Sequence, residues 1–178
     1  TLVNLFGSSF FNVGSSYIVT ETLGLSNQLL GVLQGTLAVG GLVGGAVVAL
    51  RPGGLGIKRS PALLGCTAAG LAAIAAVLAA PLPALGAYAG MLVAYLASMA
   101  FCMALSIVAM SYLQLKAPET LVGKVMALTV MLANFAAPAG QVVYGLAFDR
   151  VPAWSVALVA AVATAAVAAW LSRSIRER

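Results

Sequence analysis

The longest stretch of the chain without a charged residue decides the fold. It covers residues 60 to 115 and reads SPALLGCTAAGLAAIAAVLAAPLPALGAYAGMLVAYLASMAFCMALSIVAMSYLQL. A membrane-spanning helix needs about 20 apolar residues, and a charge at its centre costs about 2.5 to 3.5 kcal/mol. This stretch is 56 residues long, so it has room for two spans. Pro81 and Pro83 near its middle supply the turn, because proline cannot continue a helix.

Four further uncharged stretches are each long enough for one span. They cover residues 1–20, 22–50, 125–148 and 151–172. The sequence therefore predicts an all-α membrane protein with six transmembrane helices, at about 1–20, 27–50, 61–80, 84–114, 122–148 and 153–172. We expect them to form a single bundle over residues 1–178, with loops too short for a soluble catalytic domain.

Composition excludes several classes of protein. The chain is 62% hydrophobic and 7% charged, with a mean hydropathy of +1.08, whereas soluble domains are about 25% charged. Nine basic residues are too few for the clustered basic face that nucleic-acid binding needs, so we expect no nucleic-acid partner. Histidine is absent, which removes Ser-His and Cys-His nucleophile pairs and His-based zinc sites. We predict no enzyme, no cofactor and no metal site.

The basic residues predict an orientation, because Lys and Arg concentrate in cytoplasmic loops. Only Arg150 falls on one side of the predicted bundle. The other side carries Arg51, Lys58, Arg59, Lys116, Lys124, Arg173, Arg176 and Arg178. Both ends of the segment are therefore expected in the cytoplasm. Short loops and alanine-rich helices are typical of a bacterial inner membrane protein.

Four of the six helices carry polar side chains at helical spacing, which is typical of helices that line a wet cavity. The candidate substrate-binding residues are Asn4, Asn12, Gln34, Tyr95, Ser98, Asn134 and Gln141. The alternative is that these groups hydrogen-bond between helices and only hold the bundle together. The two remaining helices, at 61–80 and 153–172, are almost featureless Ala, Val and Leu, and we expect them on the lipid side.

Two further patterns concern architecture. Helix 2 has small-residue pairs four apart, such as Gly31 with Gly35 and Gly40 with Gly44, which let helices approach closely. Pro138 lies inside helix 5 and predicts a hinge. The order of helix character is polar, Gly-rich, apolar, then polar, polar with proline, apolar. This order predicts a three-plus-three inverted repeat, which is an architecture of secondary transporters.

The loop between predicted helices 4 and 5 reads Lys116-Ala-Pro118-Glu119-Thr-Leu-Val-Gly123-Lys124. It resembles the proline, acid, glycine and basic pattern between helices 10 and 11 of major facilitator superfamily exporters. Helix 1, through residues 4–7 and 17–24, and the segment 138–150 are similar to the branch that contains macrolide-type and siderophore-type drug:proton antiporters. The resemblance covers essentially the whole chain, as the C-terminal six-helix half of that fold.

The resemblance also implies loop and gate elements at both ends of the bundle. They are Arg51, Lys58, Arg59, Pro118, Glu119, Gly123, Lys124, Asp149 and Arg150. The loop after helix 2 departs from the family pattern, since its acidic position is filled by Ala49 or Leu50. Asp149 and Arg150 have a second interpretation, as a solvated turn.

We therefore expect the C-terminal bundle of a secondary active exporter of small amphipathic compounds such as drugs or macrolides. It would work by alternating access in the lipid bilayer, against an N-terminal six-helix half. No acid lies within a predicted span, so the coupling acid is expected in that other half. The alternative hypothesis is a transporter-like membrane receptor or assembly partner that transports nothing.

Overall fold

A computed structural model describes residues 7–51 and 56–176, and these residues form helices without any β-strand. The helices are α1 (Ser9–Tyr17), α2 (Asn27–Ala49), α3 (Ser60–Ala79), α4 (Ala84–Lys116), α5 (Val122–Phe148) and α6 (Ala153–Arg176). A π-helical segment, Ile18–Thr22, extends α1, and a 3-10 turn, Ile57–Arg59, precedes α3. Within the described ranges, five helices, α2 to α6, are long and apolar enough to cross a membrane.

Four helices begin at the residue that the spacing of charges and prolines predicts, namely α2, α4, α5 and α6. Two of them run further than predicted at the other end, α4 to Lys116 and α6 to Arg176. A helix can continue through a terminal Lys or Arg because these long side chains bury their stems and extend the charge to water. Only the part of predicted helix 1 from residue 7 onward is described.

After α1 the chain reverses its direction in a short turn. The Thr20 hydroxyl donates to the Ser16 carbonyl at 2.8 Å, and the Leu25 N–H bonds the Val19 carbonyl at 2.9 Å. Gly24 adopts a left-handed φ of 61°, a conformation that glycine reaches at no steric cost. This turn sends the chain back across the bundle as α2.

Helices that are distant in sequence pack side by side and run parallel. In α2, Gly40 lies against Leu96 of α4, and Gly44 lies one turn further along against Ala100. The Ser9 hydroxyl in α1 donates to the Ala137 carbonyl in α5 at 3.0 Å. α2 is therefore paired with α4, and α1 with α5, whereas the sequence neighbours α1 and α2 pack little on each other.

α3 packs antiparallel against both α4 and α6. Near one end, Leu64 of α3 clusters with Leu105 of α4 and Ala168 of α6. The expectation that α3 and α6 are the lipid-side helices misses this extensive contact between them. Small Ala side chains let helix backbones approach closely, so an alanine-rich stretch indicates close packing as readily as lipid exposure. The helix with the smallest share of buried residues is α5.

The alternation of helix directions collects basic residues at one end of the bundle, which we call the basic end. α2, α4 and α6 finish there, and α3 and α5 begin there. Its described charged residues are Arg51, Lys58, Arg59, Lys116, Glu119, Lys124 and Arg173. The opposite end carries Glu21, Asp149 and Arg150.

Candidate functional site

A cavity of about 720 Å³ lies between α1, α2 and α4, and we call it the main cavity. Its polar side comes from the start of α1 and from α2, and its apolar side comes mainly from α2 and α4. The polar lining residues are Ser8, Asn12, Ser15 and Gln34. The sequence-predicted candidates Asn12 and Gln34 therefore meet in one cavity, although they are 22 residues apart in the chain.

Hydrogen bonds within α1 fix the polar side of the main cavity. The Asn12 amide Nδ2 donates to the Ser8 carbonyl at 2.8 Å, and the Ser15 hydroxyl donates to the Asn12 carbonyl at 3.0 Å. The bond to Ser8 uses one N–H of the Asn12 amide, so Asn12 keeps its Oδ1 acceptor and a second N–H donor. Gln34 is exposed and makes no hydrogen bond within the described residues, so it offers both a donor and an acceptor.

The apolar side of the main cavity is built from large residues of α4 facing glycines of α2. Met99, Met103 and Ile107 line it from α4. A Cβ atom added at Gly41 would lie 3.5 Å from the Met103 methyl, so the missing side chain leaves room at this point. Methionine is flexible and polarisable and can adapt to ligands of different shape. The apolar side of the main cavity can therefore accommodate apolar ligand groups of different shapes.

A second cavity of about 610 Å³ runs along α1 beside α5. Gln141 of α5 lies in it, and Asn12 lines both cavities. Glu21 lines the same groove, at the end of the bundle away from most of the basic residues. Three polar side chains of the groove, Asn12, Ser16 and Thr20, follow one another at four-residue intervals along the helix. Polar side chains thus line the groove from Glu21 to Asn12, which also lines the main cavity.

Asn134 is not brought together with the other candidates. It is exposed on α5, in an open groove of about 630 Å³ that it shares with Pro138 and apolar residues such as Phe135. α5 continues as a helix through Pro138. Asn134 and Gln141, the two candidates on α5, line different cavities.

Tyr95 and Ser98 lie behind the main cavity rather than in its wall. Tyr95 is fully buried, its hydroxyl has no hydrogen-bond partner among the described residues, and its ring packs edge-on against Phe11 with centroids 5.3 Å apart. Phe11 itself lines the cavity. The Ser98 hydroxyl donates to the Ala94 carbonyl at 2.7 Å and fills the space above Gly70 of α3. Asn4 lies outside the described residues.

The loop and gate candidates are distributed over both ends of the bundle. Arg51 and Arg59 line a crevice between α2, α3 and α4. The Pro118 carbonyl accepts the Leu121 and Val122 N–H groups at 2.8 and 3.0 Å and so begins α5. The remaining candidates are exposed: Lys58, Glu119, Gly123, Lys124, Asp149 and Arg150. In the described part of the chain, no group of three His, Cys, Asp or Glu residues could hold a metal ion.

Sequence reasoning missed the apolar half of the main cavity. Met99, Met103 and Ile107 recur at four-residue intervals on one face of α4, but a stripe of this kind is ordinary in helix packing. The polar residues Tyr88, Tyr95 and Ser98 of α4 instead face the interior, where they are buried. No signal in α4 alone separates these two faces. The sequence feature that could have indicated the cavity-lining face is on α2, where Gly41 and Gly45 are also four residues apart.

Comparison with protein families, with curated proteins and with solved structures gives no match to this chain. The class that the fold defines is an all-helical protein with five helices able to cross a membrane in its described part. The helices are compatible with an integral membrane protein, and any finer assignment depends on the cavities.

Proposed function

We propose that this chain is the C-terminal bundle of a secondary active exporter of small amphipathic compounds, of the major facilitator type. It works by alternating access against an N-terminal six-helix half. The observation that carries the proposal is the main cavity, because one of its sides offers amide and hydroxyl groups and the other offers methionine and aliphatic surface. Ligand sites are typically apolar cavities with a few placed polar groups.

The lining of the main cavity suggests the substrate chemistry. It contains no charged side chain, so its groups are suited to neutral polar atoms of a largely apolar molecule. Asn12 and Gln34 can each donate and accept a hydrogen bond. Gln141 extends this set into the second cavity. Tyr95 is fully buried and packs against Phe11, which lines the cavity, so Tyr95 would join the set only if the Phe11 ring moved aside.

The pairing of helices supports the inverted repeat on which the proposal rests. If the first three helices correspond to the last three, α1 corresponds to α4, α2 to α5 and α3 to α6. The repeat then relates the α2–α4 pair to the α5–α1 pair. In each pair the two helices run parallel. The α3–α6 pair maps onto itself and is extensively packed. Inverted repeats place substrate sites near their interface.

Coupling to protons is assigned to the N-terminal half. The described acids, Glu21, Glu119 and Asp149, lie at the ends of the helices or in the connections between them, whereas coupling needs a titratable group exposed alternately to the two sides. We assign Pro138 as a hinge, since it removes one backbone hydrogen bond from α5. The basic end, with its loop candidates, is placed in the cytoplasm of a bacterial cell.

Transport by the intact protein tests the proposal. Asn12→Ala and Gln34→Ala each remove one hydrogen bond to the substrate, and we expect transport efficiency to fall about fivefold for each, as for a bond of about 1 kcal/mol. Asn134→Ala is the matched control, because Asn134 lines a separate groove on α5. Unchanged export and substrate range in both cavity variants would remove the main cavity from the transport path.

A second function is favoured by one observation on α2. A Cβ atom at Gly31 or Gly35 would meet nothing within 4 Å, so this small-residue pair has no neighbour among the described residues. A transporter-like receptor or assembly partner would use such a face for contact with another helix. Counter-transport in proteoliposomes separates the two functions, because a pure interaction protein moves no solute.

A further inference from the structure

The crevice between α2, α3 and α4 has two arginines at its mouth, and we call it the basic crevice. Its volume is about 250 Å³. Arg51 follows the end of α2 and Arg59 precedes the start of α3. Both arginines line the same opening. No acidic side chain of the described residues lines it.

The charge at the mouth favours a phosphate group. Guanidinium groups bind phosphate through paired, charge-assisted hydrogen bonds. α3 begins at Ser60, directly after Arg59, so the positive end of its helix dipole lies at the same opening. Three positive contributions therefore converge there, and the described residues supply no counter-charge.

Below the arginines the walls are apolar and small. They are formed by Gly44 and Val47 of α2, by Ala62 and Leu63 of α3, and by Ala100 and Ala104 of α4. α2 and the segment Ile57–Ala79 are both long and apolar enough to cross a membrane. The mouth thus lies where two spans end, at the depth of lipid headgroups, and the walls extend toward the hydrocarbon.

We propose that the basic crevice binds one anionic phospholipid, with its phosphate between Arg51 and Arg59 and an acyl chain along the apolar walls. Basic pockets between transmembrane helices are suited to anionic headgroups. A free phosphate ion would use the arginines but leave the walls without a partner, and a zwitterionic lipid would bring a positive group to a positive mouth. The proposal concerns the membrane-embedded bundle and does not depend on transport.

Cys66 provides a reporter inside the site. It is exposed and lines the crevice, whereas Cys102 is buried in the bundle. The intact protein is purified in a neutral detergent, and alkylation of Cys66 by N-ethylmaleimide is followed by mass spectrometry. Phosphatidylglycerol, phosphatidylcholine or inorganic phosphate is titrated in. We expect only phosphatidylglycerol to slow alkylation at low micromolar to millimolar concentration.

Two variants identify the groups responsible. Arg51→Gln combined with Arg59→Gln should raise the phosphatidylglycerol concentration for half-protection about 25-fold, about fivefold for each basic residue. Lys116→Gln combined with Lys124→Gln removes the same charge from the same end outside the crevice and should shift it less than twofold. Ala62→Phe keeps both arginines but fills the apolar wall, and it should also abolish protection.

Several results would overturn the proposed lipid site. Equal protection by phosphatidylcholine, or half-protection of the double arginine variant at the same phosphatidylglycerol concentration as the unaltered protein, would overturn it. Protection by inorganic phosphate alone would show that the site takes a free anion and not a lipid. If the double arginine variant does not fold, full protection in the Ala62→Phe variant would equally contradict the proposed site.

Discussion

Two tyrosines on α4 show that one residue type can contribute to stability in opposite ways. Tyr88 donates its hydroxyl to the Leu29 carbonyl in the first turn of α2 at 2.7 Å. Tyr95, two turns further along, is fully buried, and its hydroxyl has no partner within residues 7–51 and 56–176. A buried hydroxyl without a partner costs about 1 to 3 kcal/mol, whereas a satisfied one contributes about 1 kcal/mol. The two hydroxyls should therefore act on stability with opposite sign.

The substitution of phenylalanine at both positions tests this difference. We expect Tyr95→Phe to raise the free energy of unfolding by about 1 kcal/mol, and Tyr88→Phe to lower it by about 1 kcal/mol. Thermal unfolding of the intact protein in detergent, followed by tryptophan fluorescence, measures both. A lower melting temperature for Tyr95→Phe would mean that its hydroxyl has a partner in the membrane protein.

At this scale the sequence predicts polar site residues better than apolar ones. Asn12 and Gln34 were identifiable because amides in a membrane helix need partners, and the structure places both in the main cavity. Met103 was not identifiable, because an apolar side chain is equally suited to a core, a cavity wall or lipid. The difference between these locations depends on neighbours that only the folded bundle supplies.

Among the elements, α2 uses its glycines in two ways. At Gly40 and Gly44 the backbone of α2 touches that of α4; a Cβ atom at Gly40 would lie 2.6 Å from the Leu96 carbonyl oxygen. A Cβ atom at Gly44 would collide with the Ala100 carbonyl. Gly31 and Gly35 face open space. The same sequence pattern therefore holds the α2–α4 pair together at one end and leaves a free face at the other.

Two alanine substitutions in α2 separate these roles. Gly44→Ala should lower the free energy of unfolding by about 2 kcal/mol, since overpacking against a backbone carbonyl costs about 1 to 3 kcal/mol. Gly31→Ala introduces the same methyl group into open space inside the helix and should raise the free energy of unfolding by up to about 1 kcal/mol, because alanine favours the helix more than glycine does. Thermal unfolding of the two purified variants provides the comparison, and equal effects would show that the α2–α4 contact is looser than described.

The spacing of charges predicts the helices but not their partners. The starts of α2, α4, α5 and α6 follow from where charges and prolines occur, because burying a charge in lipid is costly. Nothing in that reasoning distinguishes a helix that packs on its neighbour from one that packs on a distant segment. The α3–α6 contact was missed for this reason, since Ala-rich helices carry no directional polar pattern.

For the molecule as a whole, the distribution of charge along the bundle predicts its placement in the membrane. Lys58 and Lys116 lie at the basic end, although more than fifty residues separate them, and Arg150 lies at the opposite end. The excess of basic residues at one end is typical of the cytoplasmic side.

Single cysteines in intact cells measure this placement. In a background with Cys66→Ala and Cys102→Ala, Lys58→Cys and Lys116→Cys should react with a membrane-impermeant maleimide only after the membrane is opened. Arg150→Cys should react in intact cells. Labelling of positions 58 and 116 from opposite sides would contradict the alternation of the helices.

The pairing of α1 with α5 has a consequence for biosynthesis. Phe10 meets Tyr144 edge-on with ring centroids 5.7 Å apart, yet the ribosome makes these residues 134 positions apart. At a synthesis rate of about 5 to 20 residues per second, Tyr144 is made roughly 7 to 27 s after Phe10. During that interval the α1 side chains that later pack on α5, such as Phe10, still lack those contacts.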